Sequence, residues 1–167
     1  SSTLVIAHEG VKLVSTNENG GRFIRTTDFG PTFRFSNGST QLGYVGLENI
    51  YIANAGTMTA TSGAAVVFDM CYGITVRDCY IKDCFSGADF LGVGNGYVDG
   101  LNISTGIGDP TGRYGVRIGY STNGSRYGGD LFFENLNFWC GEKEPGEGLA
   151  IVPHMDYGLK IECVDGL

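Results

Sequence analysis

Apolar residues in this chain fall in short runs, and no stretch of a dozen residues spaces them at i, i+3, i+4 and i+7. Amphipathic helices are therefore not predicted. β-Branched and aromatic segments punctuated by Gly and Asn predict short strands instead. Set beneath one another, these segments form an internal repeat. Its rows are Leu47-Glu48-Asn49-Ile50-Tyr51-Ile52, Val76-Arg77-Asp78-Cys79-Tyr80-Ile81, Val98-Asp99-Gly100-Leu101-Asn102-Ile103, Phe133-Glu134-Asn135-Leu136-Asn137-Phe138 and Ile161-Glu162-Cys163-Val164-Asp165-Gly166. The rows start 29, 22, 35 and 28 residues apart.

Columns one, four and six of the repeat are apolar, whereas an unbroken strand would place its inward residues at one, three and five. Column three explains the difference. It holds Asn49, Asp78, Gly100 and Asn135, with Cys163 as the exception, and Asn, Asp and Gly are the residues that enter the left-handed backbone region most readily. One such residue between two strand pieces makes a sharp bend and returns the next side chain to the interior. A second ladder places a Gly three residues before an apolar residue: Gly10/Leu13, Gly30/Phe33, Gly63/Val66, Gly87/Phe90, Gly115/Ile118 and Gly148/Ile151. Two ladders advancing in the same order describe a chain that winds in one direction, with insertions confined to loops.

The predicted fold is all-β: a right-handed parallel β-helix of about five to six coils forming a single domain over residues 1–167. At about 4.8 Å per strand spacing it would stand roughly 29 Å tall. The hand follows the general preference of parallel crossovers. An antiparallel sandwich would use the same strands but would not need the bend column to recur. Neither end carries an amphipathic cap and the chain does not open on Met, so a segment of a longer helix is expected.

Composition narrows the function classes. An apolar fraction of 42% exceeds that of disordered chains. No run of 18 apolar residues occurs, so no membrane-spanning helix is expected. With 11 basic against 18 acidic residues and a net charge of −7, a nucleic-acid surface is not expected, because phosphate contacts require clustered Lys and Arg. The five cysteines, Cys71, Cys79, Cys84, Cys140 and Cys163, lack metal-ligand spacing and read as free thilos of a protein made in a reducing compartment. No metal or other cofactor is expected.

The segments Gly63-Ala64-Ala65-Val66-Val67-Phe68, Gly73-Ile74-Thr75-Val76-Arg77-Asp78-Cys79-Tyr80-Ile81 and Tyr114-Gly115-Val116-Arg117-Ile118-Gly119 resemble the pectate-lyase-like β-helix superfamily, and most closely the β-helices of bacteriophage tailspike and tail-fibre proteins. The resemblance implies a homotrimeric, virion-borne or otherwise extracellular protein whose side surface binds, and in some members cleaves, bacterial surface polysaccharide. The catalytic blocks of the polygalacturonase-type hydrolases are incomplete here. Ala88-Asp89 stands where those enzymes pair two Asp, Arg117-Ile118-Gly119 lacks their Lys, and Gly-His-Gly is missing.

Outward side chains on successive coils should lie about one strand spacing apart. One such row reads Glu48, Arg77, Asp99, Glu134, Glu162. Its Asp99 and Glu134 would sit near the ~5–5.5 Å carboxylate separation of a retaining glycosidase. Asp89 and Arg117 are expected to form a cross-strand ion pair, and Tyr51 over Tyr80 with Asn102 over Asn137 an outward ladder. The long segments 104–114 and 139–147 should emerge on one side, and they supply the candidate carbohydrate-binding residues: Tyr114 and Trp139 as ring platforms, with Asp109, Arg113, Glu142 and Glu147 as polar partners. On the opposite side, loops 36–41 and 121–129 are separated by two short-looped turns, so a shallow groove bounded by Tyr120 and Tyr127 is expected between them. Binding of bacterial polysaccharide is the leading functional expectation. A polysaccharide hydrolase or lyase and a purely structural trimeric stalk are the alternatives.

Overall fold

The computed structural model describes residues 3–17, 20–25, 30–54, 63–105, 112–126, 128–140 and 155–162. Among them every helix or strand is a strand, and every strand pair is parallel. The first coil comprises β1 (Leu4–Ile6), β2 (Lys12–Val14) and β3 (Gly21–Arg25). The second has β4 (Phe33–Phe35), the divided β5 (Leu42–Gly43) and β6 (Gly46–Glu48), and β7 (Ile50–Asn54). The third has β8 (Ala64–Asp69), β9 (Cys71–Arg77) and β10 (Tyr80–Cys84), and the fourth β11 (Ser86–Leu91), β12 (Gly94–Asp99) and β13 (Asn102–Thr105). The fifth has β14 (Tyr114–Gly119), β15 (Leu131–Glu134) and β16 (Asn137–Cys140), and β17 (Tyr157–Ile161) opens a sixth.

Equivalent strands stack into three parallel sheets. The first runs β1-β4-β8-β11-β14-β17, the second β2-β6-β9-β12-β15 with β5 also on β9, and the third β3-β7-β10-β13-β16. This arrangement fits a parallel β-helix-like solenoid and excludes the antiparallel sandwich for the described residues.

The bend column accounts for the path. Asn49, Asp78, Gly100 and Asn135 have φ of 55°, 50°, 67° and 50°, and each joins a strand of the second sheet to one of the third. On one side of the bend, Leu13, Leu47, Val76, Val98 and Phe133 are successive register partners. On the other side the partners are Phe23, Ile52, Ile81, Ile103 and Phe138. The inward residues of both files therefore meet in one core. The Asn49 amide also donates to the Ser15 and Asn17 carbonyls at 3.1 and 2.7 Å, tying the second coil to the first.

Three details of the sequence alignment are corrected. Ile161 pairs with Ile118 in the first sheet, so the row from Ile161 does not continue the first ladder, and the exception at Cys163 disappears with it. Leu13 pairs with Leu47 in the second sheet and does not belong to the glycine-marked ladder. Phe33 and Val66 are partners as expected, but Phe90 and Ile118 lie two residues further on, in file with Phe68 and Phe35. Interior ring stacking sets that register. Phe35 on Phe68 and Phe68 on Phe90 have centroids 4.6 and 5.4 Å apart, with planes within 9° and 7° of parallel. Ile151 lies outside the described residues.

The core is tightly packed. The space lined by side chains such as Leu47, Phe68, Ile81 and Phe90 is about 10 Å³, and its apolar walls offer an ordered water no partners. A close backbone approach is built in at Gly115, where a Cβ would fall on the Phe138 ring. Cys71, Cys79 and Cys84 are buried free thiols.

Two predictions follow from this architecture. Asp78→Gly should leave stability within about 0.5 kcal/mol, whereas Asp78→Val should cost roughly 1–2 kcal/mol because a β-branched residue resists the left-handed region, as measured by urea denaturation. Burial pushes the Cys71 thiol up to about 12 and the Cys79 thiol to about 11. Iodoacetamide at pH 8 should therefore label neither in the folded protein and both in 8 M urea, because only the thiolate reacts; mass spectrometry of the labelled peptides checks this.

Candidate functional site

Corners between the first and second sheets differ greatly in length. The third coil turns on Met70 alone and the fourth on Gly92 and Val93, while the second and fifth coils carry 36–41 and 120–130. Two short corners between two long ones leave a valley, which the structure forms as a groove of about 560 Å³. Ser39 and Gln41 line one wall, Ser125, Arg126 and Gly128 the other, and Met70, Gly92 and Gly94 the floor. Its walls stand three strand spacings apart, about 14 Å. Its volume falls within the ~300–1,000 Å³ common for ligand sites.

The far wall is held by a buried carboxylate. Asp69, at the end of β8, is 2% exposed. It accepts Arg34 Nη2 at 2.6 Å, the Thr122 backbone N–H at 3.0 Å, and the Thr122 hydroxyl. One side chain thus joins the second, third and fifth coils. Beyond Thr122 the loop is bound to itself. Ser121 Oγ accepts the N–H groups of Ser125 and Arg126, both at 3.1 Å, and Asn123 Oδ1 accepts Ser125 N–H at 3.0 Å and its hydroxyl at 2.6 Å. On the floor, Gly92 has φ +59°, and a Cβ there would lie 2.8 Å from that of Ser121. Gly94 is different: its nearest neighbour would be Gln41 Nε2 at 3.9 Å. A side chain at Gly94 would fill the groove without straining the backbone.

Beside the floor lies an aromatic surface on the outside of the second sheet. Tyr72 is the register partner of both Gly43 and Gly94 and meets Tyr44 edge-on, with centroids 5.2 Å apart at 69°. Tyr44 is 67% exposed. Further along, Phe132 pairs with Tyr97, whose hydroxyl donates to Glu134 Oε2 at 2.5 Å. The outward row Glu48, Arg77, Asp99, Glu134 lies in register as expected. Glu162 does not join it: its carboxylate is 3.9 Å from Arg117, on the first sheet. Asp99 and Glu134 are neighbours, and each is engaged, Asp99 by the Asn135 amide at 2.8 Å and Glu134 by Tyr97.

The six residues singled out from sequence are distributed differently. Asp109, Glu142 and Glu147 lie outside the described residues. The described residues flanking the segments that carry them are in register, Thr105 with Cys140 and Tyr114 with Tyr157. Arg113 is fully buried, with its guanidinium carbon 5.8 Å from the Phe85 ring centre. Tyr114 is buried in a polar cluster. Its hydroxyl donates to Asp89 at 2.7 Å, and Arg117 grips the same carboxylate through Nε at 3.1 Å and Nη2 at 2.6 Å. Arg117 also covers the Tyr114 ring at 5.4 Å. Burial pushes the Asp89 carboxyl up against the opposing pull of Arg117 and Tyr114; burial and the nearby Asp89 push the Tyr114 phenol up.

Trp139 is half-buried and extends the expected tyrosine ladder. Tyr51 stacks on Tyr80 at 5.0 Å, Trp139 closes on Tyr80 at 5.4 Å, and Arg22 covers Tyr51 at 5.2 Å. In this ladder the flat faces of Tyr51 and Tyr80 are spent on one another and on their neighbours, which leaves ring edges to solvent. Of the groove, the sequence pointed to both loops; Tyr120, expected as a boundary, is 44% exposed but is not among the described lining residues, and Tyr127 lies outside the described residues. Met70, Gly92 and Gly94 were missed as lining, with the two short corners between the long ones the only signal for them; Arg126 was included only as part of the 121–129 loop.

No protein-family model, curated protein or solved structure matches this chain.

Asp69→Ala should lower stability by about 2–3 kcal/mol, since it strands Arg34 and Thr122 around a lost buried charge. Urea unfolding measures the loss, and faster amide exchange confined to 121–126 would locate it.

Proposed function

We propose that this chain is a carbohydrate-binding domain on a right-handed parallel β-helix of the tailspike or tail-fibre kind, and that it holds a bacterial surface polysaccharide in the groove between its long corners. The observation that carries this reading is the groove itself: a polar trough across four coils, floored by glycines and walled by a pre-organised loop. Its side chains suit a sugar. Ser39 and Gln41 offer hydroxyl and amide groups that both donate and accept, as sugar hydroxyls require, and Ser125 Oγ, whose proton goes to Asn123, adds an acceptor. Beside the floor that Met70 lines, the exposed Tyr44 of the Tyr44–Tyr72 pair gives an apolar contact for C–H surfaces along the second sheet.

Binding is favoured over hydrolysis at this site. A glycosidase of the usual kind needs two carboxylates flanking the bond, and the groove lining contains no Asp or Glu among the described residues. Right-handedness rests on the general rule for parallel crossovers.

The test is a panel of bacterial capsular and lipopolysaccharides measured by equilibrium binding against the wild type and Gly94→Phe. The filled groove should weaken binding at least tenfold, or about 1.4 kcal/mol, with the melting temperature unchanged. Undiminished binding by the filled variant would move the ligand elsewhere on the surface. Silence of the wild type across the whole panel would sink the carbohydrate reading.

A further inference from the structure

We infer that the groove selects acidic polysaccharide, with Arg126 as the residue that receives the anionic group of the sugar; this deepens the carbohydrate reading above and rests on it. Arg126 is the one charged side chain among the described groove lining. The other guanidinium groups whose surroundings are described lie against carboxylates or aromatic rings. Arg34 is paired with Asp69 and Arg117 with Asp89, Arg22 lies over Tyr51, and Arg113 is buried against Phe85. Arg77 is flanked in register by Glu48 and Asp99. Arg126 is exposed and has no carboxylate within ion-pair distance among the described residues.

Its backbone is nevertheless fixed. The Arg126 N–H donates to Ser121 Oγ at 3.1 Å and its carbonyl accepts Ser121 N–H at 3.0 Å, while its Cβ sits over Gly92. The loop itself is anchored through Thr122 to Asp69. A planar five-donor fork on a held stem is suited to two-point recognition of a carboxylate or phosphate oxygen pair. The chain as a whole is acidic, with a net charge of −7, but fields beyond about 8 Å are screened at physiological salt. The local lining, positive and without carboxylates, then decides what the groove accepts. Ser39 and Gln41 on the facing wall are left to read neutral hydroxyls.

The experiment takes the polysaccharides that bind in the panel above and removes their charge chemically. Carbodiimide–borohydride reduction converts carboxylates to alcohols, and cold hydrogen fluoride removes phosphate. The expected ligands are acidic, and one of the two treatments should lower wild-type affinity at least tenfold, identifying which anion is read. Arg126→Gln should show the same loss on the untreated polymer and no further loss on the treated one, with Arg126→Lys intermediate. Arg126 variants must retain the wild-type melting temperature, and Gly94→Phe serves as the blocked control. Preferred binding of neutral polymers, or equal binding before and after both treatments, would overturn the inference while leaving the carbohydrate reading in place. No binding to any polymer would instead remove the carbohydrate reading on which it rests.

Discussion

The structure depends on a backbone bend that turns the side chain following it back to the interior. A strand alternates its faces, so a chain that turns a corner within one residue would ordinarily send an apolar side chain into solvent. A residue at positive φ resets the alternation. At Asn49, Asp78, Gly100 and Asn135 the same reset recurs coil after coil, and the second and third sheets share a core because of it. Asn and Asp tolerate this conformation at modest cost, and the Asn49 amide further offsets it by bonding the carbonyls of the coil below.

Once the coils are parallel and in register, like stacks on like. That rule shapes the inside and the outside differently. Inside, Phe35, Phe68 and Phe90 form a column whose contacts fix register more firmly than the placement of nearby glycines. Outside, Arg22, Tyr51, Tyr80 and Trp139 form a second column in which the faces of Tyr51 and Tyr80 are used up. Aromatic residues on a solenoid are thus divided between those that stabilise the stack and those left exposed to solvent. Tyr44 and Phe132, 67% and 65% exposed, are of the second kind; Tyr114, covered by Arg117 and bonded to Asp89, is of the first.

Corners are the free variable. Strand registers must repeat, but a corner may be one residue or eleven without disturbing the sheets, and function accumulates where lengths differ. Here two minimal corners lie between two long ones, and the hollow is a consequence of that order. Keeping the hollow open requires the long loop, which rests on Gly92, to stand clear of Gly94. Asp69 supplies this restraint by reaching across the first sheet to Arg34 and Thr122, residues 88 apart in the chain.

What the sequence by itself determined was the winding: the bend-tolerant column, the files flanking it, the outward row from Glu48 to Glu134, the Asp89–Arg117 pair, and the two loops facing each other across short turns. These are local patterns repeated, and repetition converts local chemistry into global register. Tertiary structure alone decided which residues with suitable chemistry remain accessible. Arg113 and Tyr114 carry sugar-binding chemistry in sequence, yet packing against Phe85 and Asp89 takes them from solvent. Arg126 looked like one more loop residue, and only the folding of its loop onto Asp69 brings it to a groove whose described lining holds no carboxylate. Ile161 likewise had the pattern of one ladder and the position of another, because a residue's file is set by its partner in the neighbouring coil, and that partner is chosen by interior packing across the whole stack.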